Sequence, residues 1–170
     1  MKNLVLSFSI LLLYNTTAFS QCEFTKNTID EFKGYSIQVT PSRPLYQKLL
    51  EGAKISFAQI DSFYYVYFTY MTSVMYSVDK GEELIFKLED STLMTIYSTS
   101  YEIADCSYSS NITTCTAIMS FPISKVELQT LAKKSIIKFR LYTNDGYTEN
   151  ETNPNKAKAA AELADCILKY

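Results

Sequence analysis

Apolar and polar residues alternate along most of this chain, and in two stretches the alternation gives way to helical spacing. In Ser135 to Thr143, Ile137, Phe139, Leu141 and Thr143 alternate with Lys138, Arg140 and Tyr142, the period-2 pattern of a half-buried strand. Asn144-Asp145-Gly146 follows; a tight reversal needs positive φ and Asp-Gly tolerates it, so a hairpin is expected. Upstream, Ser124-Lys125-Val126-Glu127 reads as a capping box, with Ile123 and Leu128 as its hydrophobic staple. That helix should end at Lys133-Lys134, where cations suit the negative end of the dipole. Downstream, Asn153-Pro154 offers a cap followed by proline at the first helical position. Ala157, Ala160, Ala161, Ala164, Ile167 and Leu168 then form one apolar face. The second half is thus expected to run helix, hairpin, helix.

The first half reads as β. Cys22 to Lys33 fits an irregular arm or a short strand, and Tyr35, Ile37 and Val39 alternate after the break at Gly34. Pro41 and Pro44 interrupt this strand, because proline cannot serve a central ladder. Leu45 to Leu50 fits a helical turn or a strand. Ile55 and Phe57 open a clear alternation, Asp61-Ser62 turns the chain, and Phe63 to Met71 is aromatic or β-branched on both faces. That suggests a central strand covered on two sides. Parity divides it into Phe63, Tyr65, Tyr67 and Thr69 on one face and Tyr64, Val66, Phe68 and Tyr70 on the other. The second set suits the core, which makes Tyr65 and Tyr67 the choice for an outer, binding face. Turns at Asp79-Lys80-Gly81 and Glu89-Asp90-Ser91 separate strands around Phe86 and Thr95, and a further strand carries Ala117, Met119 and Phe121. Turns about ten residues apart are the rhythm of an antiparallel meander. The expected fold class is α+β: a largely antiparallel β-sheet meander, as a sandwich or open barrel, with two helices, one at the C-terminus.

Residues 1–20 read as a signal peptide. Lys2 is the charged start, Leu4 to Tyr14 is apolar but short for a bilayer, and Ala18-Phe19-Ser20 is a small-x-small cleavage site. A lipid anchor on Cys22 would need a small residue before it, and Gln21 is not one. No later stretch is long and apolar enough for a second membrane segment. Residues 21–170 are then one α+β domain in the periplasm or outside the cell. An export signal makes Cys22, Cys106, Cys115 and Cys166 disulfide candidates. Cys106 and Cys115 flank a short polar loop, which leaves Cys22 for Cys166; buried thiols are the other reading.

Composition chiefly excludes. The sequence has no histidine, so the commonest general base and metal ligand is missing, and a Ser-His-Asp or Cys-His site cannot be built. The cysteines lack a Cys-x-x-Cys pair for zinc, and the four glycines are too scattered for a phosphate loop. No cofactor is expected. Loss of Lys2 takes the 16 basic residues to 15 against 18 acidic ones, and no basic block exists beyond Lys133-Lys134. Nucleic acid is therefore not an expected partner. Carboxylates at Glu82, Glu83, Glu89 and Asp90 sit beside turns and are the candidates for a small hydrolase. The 14 tyrosines, five of them between Tyr64 and Tyr76, suit either a half-buried sheet or a face for protein or carbohydrate. Asn111-Ile112-Thr113 and Asn150-Glu151-Thr152 match the glycosylation acceptor pattern. The preferred function is a non-catalytic binding or accessory module.

Several stretches resemble small exported proteins of unknown function from Gram-negative bacteria. They are Ala18-Phe19-Ser20-Gln21, Tyr76 to Phe86, Phe121 to Ser124, and Ile137 to Tyr147 followed by the alanine-rich last helix. The resemblance implies a periplasmic or secreted α+β domain and carries no activity or site residue with it.

Overall fold

The computed structural model describes residues 22–169; the expected signal peptide lies outside the described residues. The elements run β1 (Lys26–Ile29), β2 (Ser36–Val39), β3 (Arg43–Gln47), β4 (Gly52–Ile60), β5 (Phe63–Thr72), β6 (Ser77–Val78) and β7 (Glu83–Leu88). They continue with β8 (Leu93–Tyr97), β9 (Glu102–Ile103), β10 (Asp105–Ser109), β11 (Ile112–Ile123), α1 (Lys125–Lys133), β12 (Ile136–Thr143), β13 (Gly146–Glu151) and α2 (Pro154–Leu168). The fold is α+β with every strand pair antiparallel. One curled seven-stranded sheet has the order β1-β2-β4-β5-β11-β10, with β3 also pairing β4. A four-stranded sheet has the order β13-β12-β7-β8, and β6 and β9 form a two-stranded ribbon.

The β12–β13 hairpin does not extend the large sheet. Instead the hairpin joins β7 and β8 in a separate layer. The inner face of the large sheet presents Ile55, Phe57, Val66, Phe68, Met119 and Phe121, all fully buried. Two helices, one of them alanine-rich, cannot cover so much apolar surface, and the second sheet does so with Leu84, Phe86, Phe139 and Leu141. Phe68 sits where the layers meet, 5.2 Å from Phe139 and 6.3 Å from Phe86 between ring centroids.

Local signals were followed closely. Ser124 caps α1, accepting from the Glu127 N–H while its own N–H donates to the Glu127 carboxylate at 2.9 Å. Asn153 caps α2 with Pro154 behind it. Buried Ala157, Ala160 and Ala164 let α2 lie close to β3 and β4. Gly146 turns the β12–β13 hairpin with φ +114°, so the demand for positive φ falls on the glycine rather than on Asp145. In β12 the parity differs from expectation: the register slips between Ile136 and Lys138, so Ile136 is buried and Ile137 is 38 % exposed.

The prolines act at a break. β2 and β3 both pair β4, and Thr40 lies between them. Its N–H donates to the Phe57 carbonyl and its Oγ1 accepts from the Phe57 N–H at 2.9 Å, so a side chain keeps the ladder satisfied. Pro44 occupies β3 beside a register shift, on a strand with an open side, where its missing N–H is tolerated. The ambiguous Leu45 to Leu50 resolves into strand to Gln47 and an exposed turn carrying Leu49.

Candidate functional site

Residues paired across antiparallel strands share a face, so the register defines the outer surface of the large sheet row by row. Val39, Ala58, Tyr65 and Pro122 form one row, and Ser56, Tyr67 and Ser120 the next. Ile37, Ile60 and Phe63 lie on one side of these rows, and Lys54, Thr69 and Ile118 on the other. Tyr65 and Tyr67 are half-buried, while Phe63 and Ile118 are 64 % and 63 % exposed. Val66, Phe68 and Tyr70 on the opposite face are buried, and Tyr64 partly so. The parity read from the sequence therefore holds, but the second face of β5 is open rather than covered. Small Ala58, Ser56 and Ser120 flank the two tyrosines; Ala58 and Ser56 are buried and Ser120 half-buried. Burial pushes the Tyr67 hydroxyl above its ordinary pKa and nearby Tyr65 adds to the effect.

A second cluster gathers polar side chains that the sequence did not associate. The Glu51 carboxylate accepts from the Tyr70 hydroxyl at 2.5 Å, the Tyr46 hydroxyl at 3.1 Å and Asn150 Nδ2 at 3.2 Å. The Thr148 hydroxyl lies 3.1 Å from the Tyr70 hydroxyl. Burial alone would raise the Glu51 pKa, but the hydrogen bonds from Tyr70, Asn150 and Tyr46, with Lys48 nearby, hold it below the ordinary value. Tyr70 is pushed far up by burial and by its bond to Glu51. The cluster fastens β13 of the second sheet to the β3–β4 turn of the first, and each of these polar groups is satisfied within it. Beside it, the buried Tyr76 hydroxyl donates to the Tyr70 carbonyl at 2.7 Å and accepts from the Ala117 N–H. Of the five clustered tyrosines, Tyr70 and Tyr76 thus belong to the core.

The outer face of the second sheet is charged and largely self-paired. Glu149 takes Lys138 at 2.6 Å and the Arg140 guanidinium at 2.6 and 2.9 Å, and Arg140 lies 4.4 Å over the Tyr147 ring. A shallow depression of about 340 Å³ opens there among Ile85, Lys87, Leu93 and these pairs. A larger open one, about 720 Å³, lies between the β4–β5 turn and the start of α1, beside Phe63, Pro122 and Lys125.

The candidate hydrolytic carboxylates form two sequence-adjacent pairs, Glu82-Glu83 and Glu89-Asp90, and the two pairs lie at opposite ends of β7. Six strand residues span about 20 Å, well beyond the roughly 5–10 Å at which two carboxyls flank a glycosidic bond. Asp90 is engaged by Lys134 at 2.5 Å, which with Thr92 lowers its pKa to about 2. Among the described residues, no three His, Cys, Asp or Glu side chains are grouped to hold a metal ion. Among the described residues, no helix is long and apolar enough to cross a membrane. The cysteines pair as Cys106–Cys115 and Cys22–Cys166, with none free. The two acceptor patterns differ: Asn111 is exposed at the β10–β11 turn, whereas Asn150 is bound to Glu51 and Thr152 is buried. No protein family matches the sequence, and neither a curated protein nor a solved structure matches it.

Proposed function

We propose that the chain is an exported, non-catalytic binding or accessory domain that meets its ligand, a protein or carbohydrate, through the outer sheet face around Tyr65 and Tyr67. The observation that carries this is the pair of half-buried tyrosines on a central strand, flanked by the small, uncharged Ala58, Ser56 and Ser120. Rings with an apolar body and a polar tip give large contact area, and β4 and β11 on either side fix their backbone, so little freedom is lost on binding. Export is supported by the two disulfides, which persist in oxidising compartments, together with the signal-like residues 1–20.

The test is to probe glycan and peptide arrays with the mature protein and with Tyr65→Ser/Tyr67→Ser. Captured ligands should be lost by the variant, while its melting temperature stays within about 5 °C of wild type because the rings are only half-buried. Unchanged capture, or collapse of the fold, would sink the reading.

A further inference from the structure

We propose that the Cys106–Cys115 bridge is a redox-sensitive clasp: a low-molecular-weight thiol opens it at Cys106 while Cys22–Cys166 stays shut, and its opening releases the end of the β10–β11 hairpin. The inference is independent of the Tyr65–Tyr67 face. β10 ends the large sheet, so β11 is its only ladder partner. Every residue from Asp105 to Thr113 is exposed, whichever face of the ribbon it lies on. The ribbon thus stands out from the core, and a two-stranded hairpin is marginal by itself. Its tip is strained as well. Ser110 and Asn111 have φ of +49° and +63°, the left-handed region that the tight turn demands and that serine rarely adopts. Outside the ladder, the Ser107 hydroxyl donates to the Thr114 carbonyl at 3.5 Å and the Tyr108 hydroxyl to Asn111 Oδ1 at 2.9 Å. The bridge joins directly opposed residues at the base of this ribbon, where β11 enters the core at buried Cys115.

The two sulfurs differ in access. Cys115 is 1 % exposed, whereas Cys106 is exposed and no strand stands beyond it. An incoming thiolate therefore attacks the Cys106 sulfur. A bond forms between those two sulfurs, the Cys106–Cys115 bond breaks, and its electron pair leaves on the Cys115 sulfur, which takes up a proton. A second thiolate attacks the small-molecule sulfur of this mixed disulfide. Cys106 is released as a thiol, so two protein sulfurs are reduced and two small thiols are oxidised to one disulfide. Burial makes Cys115 a reluctant leaving group, but buried Cys166 imposes the same penalty at the other bridge. Entry and reclosure then decide. Cys22 is half-buried and so less open to attack than Cys106. Cys166 is held in α2, which packs on α1, β3 and β4, so its freed sulfur stays in place to displace the incoming thiol. The β10 strand has no such packing, and once unclasped it frays before the bond can re-form. Exposed bridges are the labile ones for these reasons.

Timed treatment of the mature, oxidised protein with reduced glutathione at mildly alkaline pH, then acid quench, alkylation and peptide mapping, reads every sulfur. Cys106–Cys115 should open at least about tenfold faster than Cys22–Cys166, with trapped glutathione on Cys106. In protein with only the short bridge opened and alkylated, amide hydrogen exchange should quicken at least about tenfold in residues 107–114 and stay unchanged in β4 and β5. Cys106→Ala/Cys115→Ala should reproduce that pattern without any adduct. A short bridge that stays closed, equal opening rates, earlier loss of Cys22–Cys166, glutathione on Cys115, or hairpin exchange unchanged in both the opened protein and the variant would overturn the inference.

Discussion

Removing the two disulfides one at a time should destabilise the protein by clearly unequal amounts. The bridges close loops of very different length: Cys22 and Cys166 are 144 residues apart, Cys106 and Cys115 only 9. In the chain-entropy description a cross-link limits the unfolded ensemble, by about 5 kcal/mol for the long loop and about 2.6 kcal/mol for the short one. The difference is the sturdier quantity: a sixteenfold longer loop adds about 2.5 kcal/mol whatever constant is chosen. A domain of this size loses about 3 °C of melting temperature per kcal/mol. Cys22→Ala/Cys166→Ala should thus melt roughly 15 °C below wild type, and Cys106→Ala/Cys115→Ala roughly 8 °C below. Native packing works partly against this order, because Cys115 is more deeply buried than Cys166, so a methyl-sized void would penalise the short-loop variant more. Guanidinium unfolding of both variants alongside wild type, read by circular dichroism, measures the gap. Equal losses, or a larger loss in the short-loop variant, would show that native-state packing outweighs chain entropy here, and the ordering argued above would be wrong.

Three further outcomes follow from the described contacts. Phe68→Ala should cost about 3–5 kcal/mol, since the ring is fully buried between Phe86 and Phe139; a loss below 2 kcal/mol in chemical denaturation would mean the layers collapse into the gap. Glu51 ionises more readily in the fold than in the unfolded chain, so its contribution is complete above the ordinary carboxylate pKa and fades as pH falls through the depressed folded value. Against wild type, Glu51→Gln should therefore be less stable at pH 7, with the difference narrowing towards pH 3; a difference that widens on acidification refutes the sign. Ser124→Ala should cost about 1 kcal/mol by opening the capping box, and an unchanged melting curve would show that packing of Leu128 and Leu131 alone sets the start of α1.

What could be read from the sequence was short in range. The Ser124–Glu127 box, the Asn153-Pro154 start and the turn at Gly146 each lie within a few residues, and each forms as the local chemistry demands. The parity of Phe63 to Tyr70 was also legible, because Val66 and Phe68 fix which set faces inward. Which strands belong to which sheet was not, since β7 alternates in the same way whether it pairs with β5 or with β12. Ile137 was misassigned because a one-residue slip in pairing leaves no mark in composition. The Glu51 cluster was illegible for a different reason. Its members Tyr46, Glu51, Tyr70, Thr148 and Asn150 are joined by hydrogen bonds that span up to 99 residues, and no spacing in the chain announces them.

The long disulfide has a mechanical consequence. Cys22 and Cys166 have Cα atoms 5.5 Å apart and enclose nearly the whole described chain in a covalent ring. Tension applied at residue 22 and at residue 166 runs through the sulfur–sulfur bond and does not reach the strands between them. Held in a pulling experiment at those two points, the oxidised protein should show almost no gain in contour length, whereas the reduced protein can release 144 residues of chain, about 50 nm at the fully extended rise. The two sheets are thereby shielded from any load that enters at the bridged points, and reduction of one bond turns a stiff tether into a long, compliant one.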